Sequence, residues 1–254
     1  MIMSMSLRLR VLLSMLVLCG QTAATAAPAA ALRIAVAADL ASCMPRLNTG
    51  FDGETSFTTG ASGNFYAQIR NGAPFDVFLS ADTGYPRALA DAGVADASSL
   101  YVYALGRLVL WSADPAVKTD AGLRMLTNPA IRRIAIANPD VAPYGRAAKA
   151  ALERAGLWEA LQGKLVYGEN ITQTIQFIES GNAQAGLISN AHLGGKHPGW
   201  ALPADSYPVI EQGAIITSRG RAHPDAGRYL QYLRSPRART LLAECGFTLP
   251  PGRE

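Results

Sequence analysis

Short apolar runs alternate with helix-period stretches along most of the chain. "LRIAVAA" (32–38) reads as a buried strand, with a helix from about Asp39. "TSFTTG" (55–60) predicts a second strand, and "GNFYAQIRNG" (63–72) a helix stopped by Gly72. "FDVFLSA" (75–81) predicts a third strand, "YPRALADAG" (85–93) a helix ended by Gly93, and "GRLVLWS" (106–112) a fourth strand. After Pro115 the alternation resumes: strand at 132–139, helix at 145–156, strand at 164–169, helix at 172–181, strand at 185–190. The tail holds "VIEQGAIIT" (209–217) and two helices starting near Pro224 and Pro236.

Strands at this spacing, each a nearly continuous apolar run followed by a helix, predict an α/β protein with mostly parallel sheets covered on both faces. The pattern pauses around 112–120 and again across "GGKHPGWALPADSYP" (194–208). These pauses predict two lobes: residues 27–112 plus 206–254 in the first and 113–205 in the second. A single doubly wound sheet is the alternative, which the long irregular stretch disfavours.

Composition adds an address. About half of the 254 residues (49%) are apolar and 17% are charged, which is the balance of a folded globular chain. The formal charge of +4 is mild, and Lys and Arg are scattered. The densest basic group, "RSPRAR" (234–239), reads as a solvated helix face, so no nucleic-acid partner is expected. Arg8 and Arg10 precede the apolar run "VLLSMLVLCG", and small residues follow, with Ala24-Thr25-Ala26 as an A-x-A cleavage pattern. This is the arrangement of a signal peptide, residues 1–26, so the mature chain is expected to be exported, without a membrane span. Leu18 before Cys19 is bulky for lipid attachment, which favours plain secretion. Cleavage leaves Cys43 and Cys245; they read as two separate buried thiols, although export permits a bridge. His192, His197 and His223 lack metal-ligand spacing, so no metal site is expected.

In open α/β sheets ligands sit beyond the carboxyl ends of the strands. Five strand-to-helix corners lie there: Ala37-Ala38-Asp39, Ala61-Ser62-Gly63, "NPDVAPYG" (138–145), Glu169-Asn170-Ile171 and Ser189-Asn190. The first amides of a helix lack internal partners and carry partial positive charge, so converging corners favour an anion. Ser62 adds a hydroxyl, and Gly63 would let a ligand approach the backbone closely. Taken singly, Ser62 also reads as an ordinary helix cap and Gly63 as a turn. Catalytic patterns do poorly. "GASGN" misses the nucleophile elbow at Asn64, and no P-loop, dinucleotide fingerprint or zinc-helix motif is present. Asp76, Asp82 and Glu169 make a carboxylate pair only if folding joins two of them. The chain is expected to bind without turnover.

Three segments carry a resemblance. "SGNFYAQIRNGAPFDVFLSAD" (62–82), "NPDVAPYGRAAKAALERAGLW" (138–158) and "RSPRARTLLAECGF" (234–247) resemble the periplasmic molybdate-binding proteins, the solute receptors of ABC importers. The likeness runs from about Leu32 to Phe247. It implies the class II binding-protein fold, with two lobes closing on molybdate or tungstate in the periplasm. It also implies an inner-membrane permease with its ATPase as partner, no cofactor, and a monomer.

The resemblance implies ligand contacts from two Ser hydroxyls, a Tyr hydroxyl and backbone amides. By motif these fall on Asp39, Ser62, Tyr144, Ile171 and Ser189, with Ala38, Gly63 and Asn170 in support. Ser62 matches. Asp39 stands where the family has Ser, Tyr144 where a small residue is usual, and Ser189 where the family has Tyr. Tyr144 is a candidate to supply the phenol that Ser189 lacks. An ionised Asp39 accepts hydrogen bonds and donates none, and it repels a dianion. Three roles stand open for it: a cap turned onto its own helix, a carboxyl protonated in the complex, or a sign that the ligand differs (a cation, an amine-bearing solute, or an oxyanion with a metal). The alternatives to a molybdate receptor are thus a related receptor for another solute, or a secreted α/β enzyme.

Overall fold

The computed structural model describes residues 30–194 and 199–250. The expected signal peptide and His197 lie outside the described residues. Among the described residues ten strands form two sheets. They are β1 (Leu32–Ala37), β2 (Thr55–Gly60), β3 (Val77–Ser80), β4 (Tyr101–Gly106), β5 (Leu108–Trp111), β6 (Ile134–Ala137), β7 (Leu165–Gly168), β8 (Ala185–Ser189), β9 (Trp200–Ala201) and β10 (Ile210–Ile216). The helices are α1 (Met44–Gly50), α2 (Ser62–Arg70), α3 (Gly84–Asp91), α4 (Pro143–Arg154), α5 (Trp158–Leu161), α6 (Ile171–Glu179), α7 (Pro224–Arg234) and α8 (Pro236–Glu244).

Each sheet is 5-stranded, in the orders β2-β1-β3-β10-β4 and β7-β6-β8-β5-β9. β2, β1 and β3 are mutually parallel, as are β7, β6 and β8. The strand arriving from the other lobe runs antiparallel in each case: β10 against β3 and β4, and β5 against β8 and β9. The chain therefore crosses twice, and each lobe is completed by a returning segment.

The first crossing corrects the expected lobe boundary. Leu108–Trp111, expected in the first lobe, pairs in the second sheet, while the preceding β4 belongs to the first. Only Arg107 separates the two strands, so no Pro- or Gly-rich break marks the passage. β4 was not expected: the sequence reading has a single strand, at 106–112, where the structure has two. The return crossing falls within 202–209, inside the Pro-rich stretch.

Apolar strands explain the core. β1, β3, β5, β6 and β8 are almost wholly buried, apart from Arg33 in β1, as strands covered on both faces should be. The second lobe's cluster around Ile134, Ile136, Leu187 and Ile188 continues into Ala37, Ala38, Ala61 and Ala81 of the first lobe, so the lobes touch through small residues. Gly145 in α4 shows how tight the packing is. A Cβ there would lie 2.2 Å from the Ala137 carbonyl oxygen, so α4 starts directly against the end of β6.

Cys43 and Cys245 form a disulfide, with Cα atoms 5.9 Å apart, where separate thiols were expected. Cys43 precedes α1 and Cys245 follows α8, and those helices pack together, so folding brings the ends of the lobe into bonding range. The bridge fastens the C-terminal helices to the first lobe. Among the described residues no helix is long and apolar enough to cross a membrane.

Candidate ligand cleft between the lobes

Four of the five corners meet. Ala38, Asp39 and Ser62 from the first lobe face Tyr144, Asn170 and Ile171 from the second around one small cavity. The lobes touch beside it through backbone and small side chains, so they stand closed on a compact space. Among the described residues no Lys, Arg or His side chain lines it, and Asp39 is the one carboxylate there.

Ser62 is the first residue of α2, and Ala61, not Ser62, occupies the cap position, so the ordinary cap reading fails. The Ala81 amide donates to Ser62 Oγ at 3.0 Å. One acceptor site of the buried hydroxyl is thereby filled, leaving its O–H free to donate. The N-terminus of α6 is organised similarly: Asn170 Oδ1 accepts from the Gln173 amide at 3.1 Å, fixing the turn that presents the early amides of the helix.

Two expected residues do other work. Gly63 does not line the cavity. Its amide donates to the Val141 carbonyl at 2.9 Å, across the cleft, and a Cβ there would sit 2.8 Å from that oxygen and from the Tyr85 hydroxyl. Its missing side chain lets the lobes meet; it does not admit a ligand. Ser189 also stands off the cavity. Its Oγ donates to the Tyr144 hydroxyl at 3.0 Å and accepts from the Ala191 amide at 3.3 Å. Tyr144 lines the cavity, and its hydroxyl lies between Ser189 and Asp39, against Gly106, where a Cβ would sit 2.3 Å from it. Burial, and then the Asp39 charge, push the Tyr144 pKa well above the usual value, so it is a neutral hydroxyl.

Asp39 is 2% exposed and sits inside a 3-10 turn, Ala38–Leu40, whose cap position is Ala37. Its Oδ2 accepts from Gln212 Nε2 at 2.7 Å, and Gln212 Oε1 accepts from the Tyr103 hydroxyl at 3.1 Å. Burial pushes the Asp39 pKa up to about 7, against the pull of the Tyr144 hydroxyl, Gln212 and the amides of Asp39 and Leu40. Although Tyr144 is near enough to exert that pull, Oδ1 has no hydrogen-bond partner of normal distance and angle.

Sequence reasoning missed Gln212 and Tyr103. The trace was there: Glu211-Gln212 interrupts the apolar run of β10, and Gln212 is fully buried. It also missed the cross-cleft pair of Arg146 with Asp82. Arg146 donates to the Tyr85 hydroxyl at 2.9 Å and stacks 5.2 Å from that ring, so α4 is tied to the first lobe. The three loose carboxylates do not pair. Asp76 accepts from the Arg33 amide at 2.9 Å and meets Arg219 at 3.2 Å, Asp82 meets Arg146, and the Glu169 amide is bound by Gln173. Among the described residues no group of three His, Cys, Asp or Glu is placed to hold a metal.

The family described as bacterial extracellular solute-binding protein matches residues 32–248. The chain belongs to that family. Among solute-binding proteins, it is 40% identical over 235 residues to the molybdate-binding protein ModA of Azotobacter vinelandii, covering 89% of this chain and 93% of that one. It is 39% identical over 230 residues to ModA of Rhodobacter capsulatus, covering 87% and 90%. The solved periplasmic molybdate-binding protein of Azotobacter vinelandii superposes with a TM-score of 0.82 at 33% identity, over 87% of this chain and all of that one. The architecture of this solute-binding protein is therefore the two-lobe α/β fold with the cleft between sheets.

Proposed function

We propose that this solute-binding protein closes its lobes on molybdate or tungstate in the periplasm and hands the ion to an inner-membrane ABC permease driven by its ATPase. In this reading residues 1–26 are removed on export, and the chain acts as a monomer without cofactor or turnover. The observation that carries it is the convergence of Ser62, Tyr144 and the starts of α2, α4 and α6 on one closed cavity with no cationic side chain among the described residues. Neutral donors and helix amides suit a small anion, because they stabilise charge without a counterion that must be stripped of water. The size of the cavity favours a compact tetrahedral ion over a sugar or peptide. The names of the relatives at 40% and 39% identity point to the same ligand.

The ligand departs from this reading only if Asp39 is answered by a positive group. A thermal-shift screen of the mature protein against molybdate, tungstate, sulfate, phosphate and divalent metals separates the cases, since a ligand that binds only the folded state raises the melting temperature. Molybdate and tungstate are expected to give the largest shifts. A response confined to cations overturns the proposal.

A further inference from the structure

We propose that Asp39 meets the bound anion as a neutral carboxylic acid held in position by Gln212, so that wherever Asp39 is ionised in the empty protein each anion captured takes up one proton from solvent onto it. The inference rests on the oxyanion reading above. Its basis is geometric. Asp39 lines the cavity, is almost completely buried, and has one oxygen committed and one free: Oδ2 accepts from Gln212, and Oδ1 has no partner. Gln212 cannot turn away easily, because the Tyr103 hydroxyl donates to its Oε1 and fixes which end faces Asp39. The amide end of Gln212 is therefore a donor to Oδ2, leaving Oδ1 as the oxygen for the ligand. An anion placed there needs a donor, and a carboxyl oxygen donates only when it carries a hydrogen. The step is one bond made: the ionised carboxyl plus one proton gives the acid, whose O–H then points at the anion.

No neighbouring charge can substitute for that proton. From β4 and α4 the facing titratable groups are Tyr103 and Tyr144, both neutral because burial holds their hydroxyls well above the usual value. From β10 the facing group is Gln212; Glu211 beside it accepts from Thr83 instead. From α2, α6 and β8 the nearest polar groups are Ser62, Asn170 and Ser189, none of them titratable. His192, in the turn packed against Ala38–Leu40, is pushed down by burial and stays neutral. Arg146 on α4 is occupied by Asp82 and Tyr85.

Gln212 is then a positioning residue with a measurable signature. Its N–H stabilises the ionised carboxyl, so removing it raises the pH at which Asp39 loses its proton in the empty protein. Burial pushes the Asp39 pKa up to about 7 before the ligand arrives, and a bound anion pushes it further in the same direction. Linkage gives the shape: affinity is flat below that pH and falls about tenfold per pH unit above it.

The test is calorimetric titration of the full mature protein with molybdate across this range, repeated at about pH 8 in buffers of different ionisation enthalpy. Wild type is expected to take up close to one proton per anion at the higher pH. Asp39→Asn, which keeps an N–H for the ligand and an acceptor for Gln212, is expected to bind with no pH dependence and no proton uptake. Gln212→Leu is expected to move the onset of the decline to higher pH. Wild-type binding that is flat in pH with no proton uptake overturns the inference and leaves the oxyanion reading standing. So does a folded Asp39→Asn protein that no longer binds, with folding checked by its melting transition. Failure of wild type to bind any oxyanion at any pH overturns both.

Discussion

The Tyr144 hydroxyl lies 3.0 Å from Ser189 Oγ, with both side chains buried and Tyr144 in front. Ser189 donates to the phenol, whose own hydrogen faces the Asp39 carboxylate and is free to turn to an anion once Asp39 carries a proton. Tyr144→Phe removes that donor while keeping the ring. Hydrogen bonds to charged groups are worth about 1.5–3 kcal/mol, so the variant should bind molybdate roughly 10- to 100-fold more weakly. Ser189→Ala, which loses only the support of the phenol, should cost about 1 kcal/mol or less. Calorimetric titration of both variants checks the order; an equal loss in each would place Ser189 at the ligand.

Gly63→Ala tests closure. The added Cβ would come 2.8 Å from the Val141 carbonyl oxygen, which belongs to the opposite lobe's backbone and cannot swing away like a side chain. The closed state should lose population, and apparent affinity with it, on the order of tenfold, if closure is disfavoured by about 1.4 kcal/mol. The melting temperature of the ligand-free protein should change little. Small-angle scattering with saturating molybdate should show a more open average shape than wild type; an unchanged shape and affinity would mean that the lobes close without this contact.

Asp39 should make the empty protein's stability depend on pH in an unusual direction. Its folded pKa of about 7 lies above the ordinary 3.8. Between those values the folded protein holds a proton that the unfolded chain has lost, so this contribution falls as pH rises through the window and is lost above about 7. A gap of roughly three pH units corresponds to on the order of 4 kcal/mol. Asp39→Asn should therefore raise the melting temperature near pH 8 and change it far less near pH 4. Equal effects at both pH values would show that Asp39 is not buried as a costly charge.

The Cys43–Cys245 bridge spans 202 residues of sequence and joins the segment before α1 to the end of α8. Its reduction, or replacement of both residues by Ala, should destabilise the protein by about 2–4 kcal/mol, read from denaturant unfolding. The molybdate dissociation constant should hold, because neither cysteine lines the cavity. A large loss of affinity would tie the C-terminal helices to the ligand directly.

Much of this was legible because parallel strands buried on both faces write continuous apolar runs, and because helix starts at their ends are fixed in position. Asp39, Ser62, Tyr144 and Ile171 were found at such corners and do share one cavity. The misses depend on which side chains far apart in sequence come face to face, across the cleft for Gly63 and within one lobe for Ser189, Gln212 and Tyr103. Gly63 and Ser189 sit at the right corners yet serve the neighbouring lobe and the neighbouring phenol. Gln212 and Tyr103 come from strands of the returning chain and the lobe edge, far from any corner motif. The lobe crossing at Arg107 was invisible because two strands of different sheets follow each other without a turn.

Titration of the mature wild-type protein with molybdate, alongside Ser62→Ala, tests the central claim most directly, since the Ser62 hydroxyl is buried at the cavity with its hydrogen uncommitted. The account predicts one ion per chain for wild type and, with one charge-assisted hydrogen bond removed, roughly 10- to 100-fold weaker binding in a variant that still folds. Equal affinity in the two proteins would contradict it.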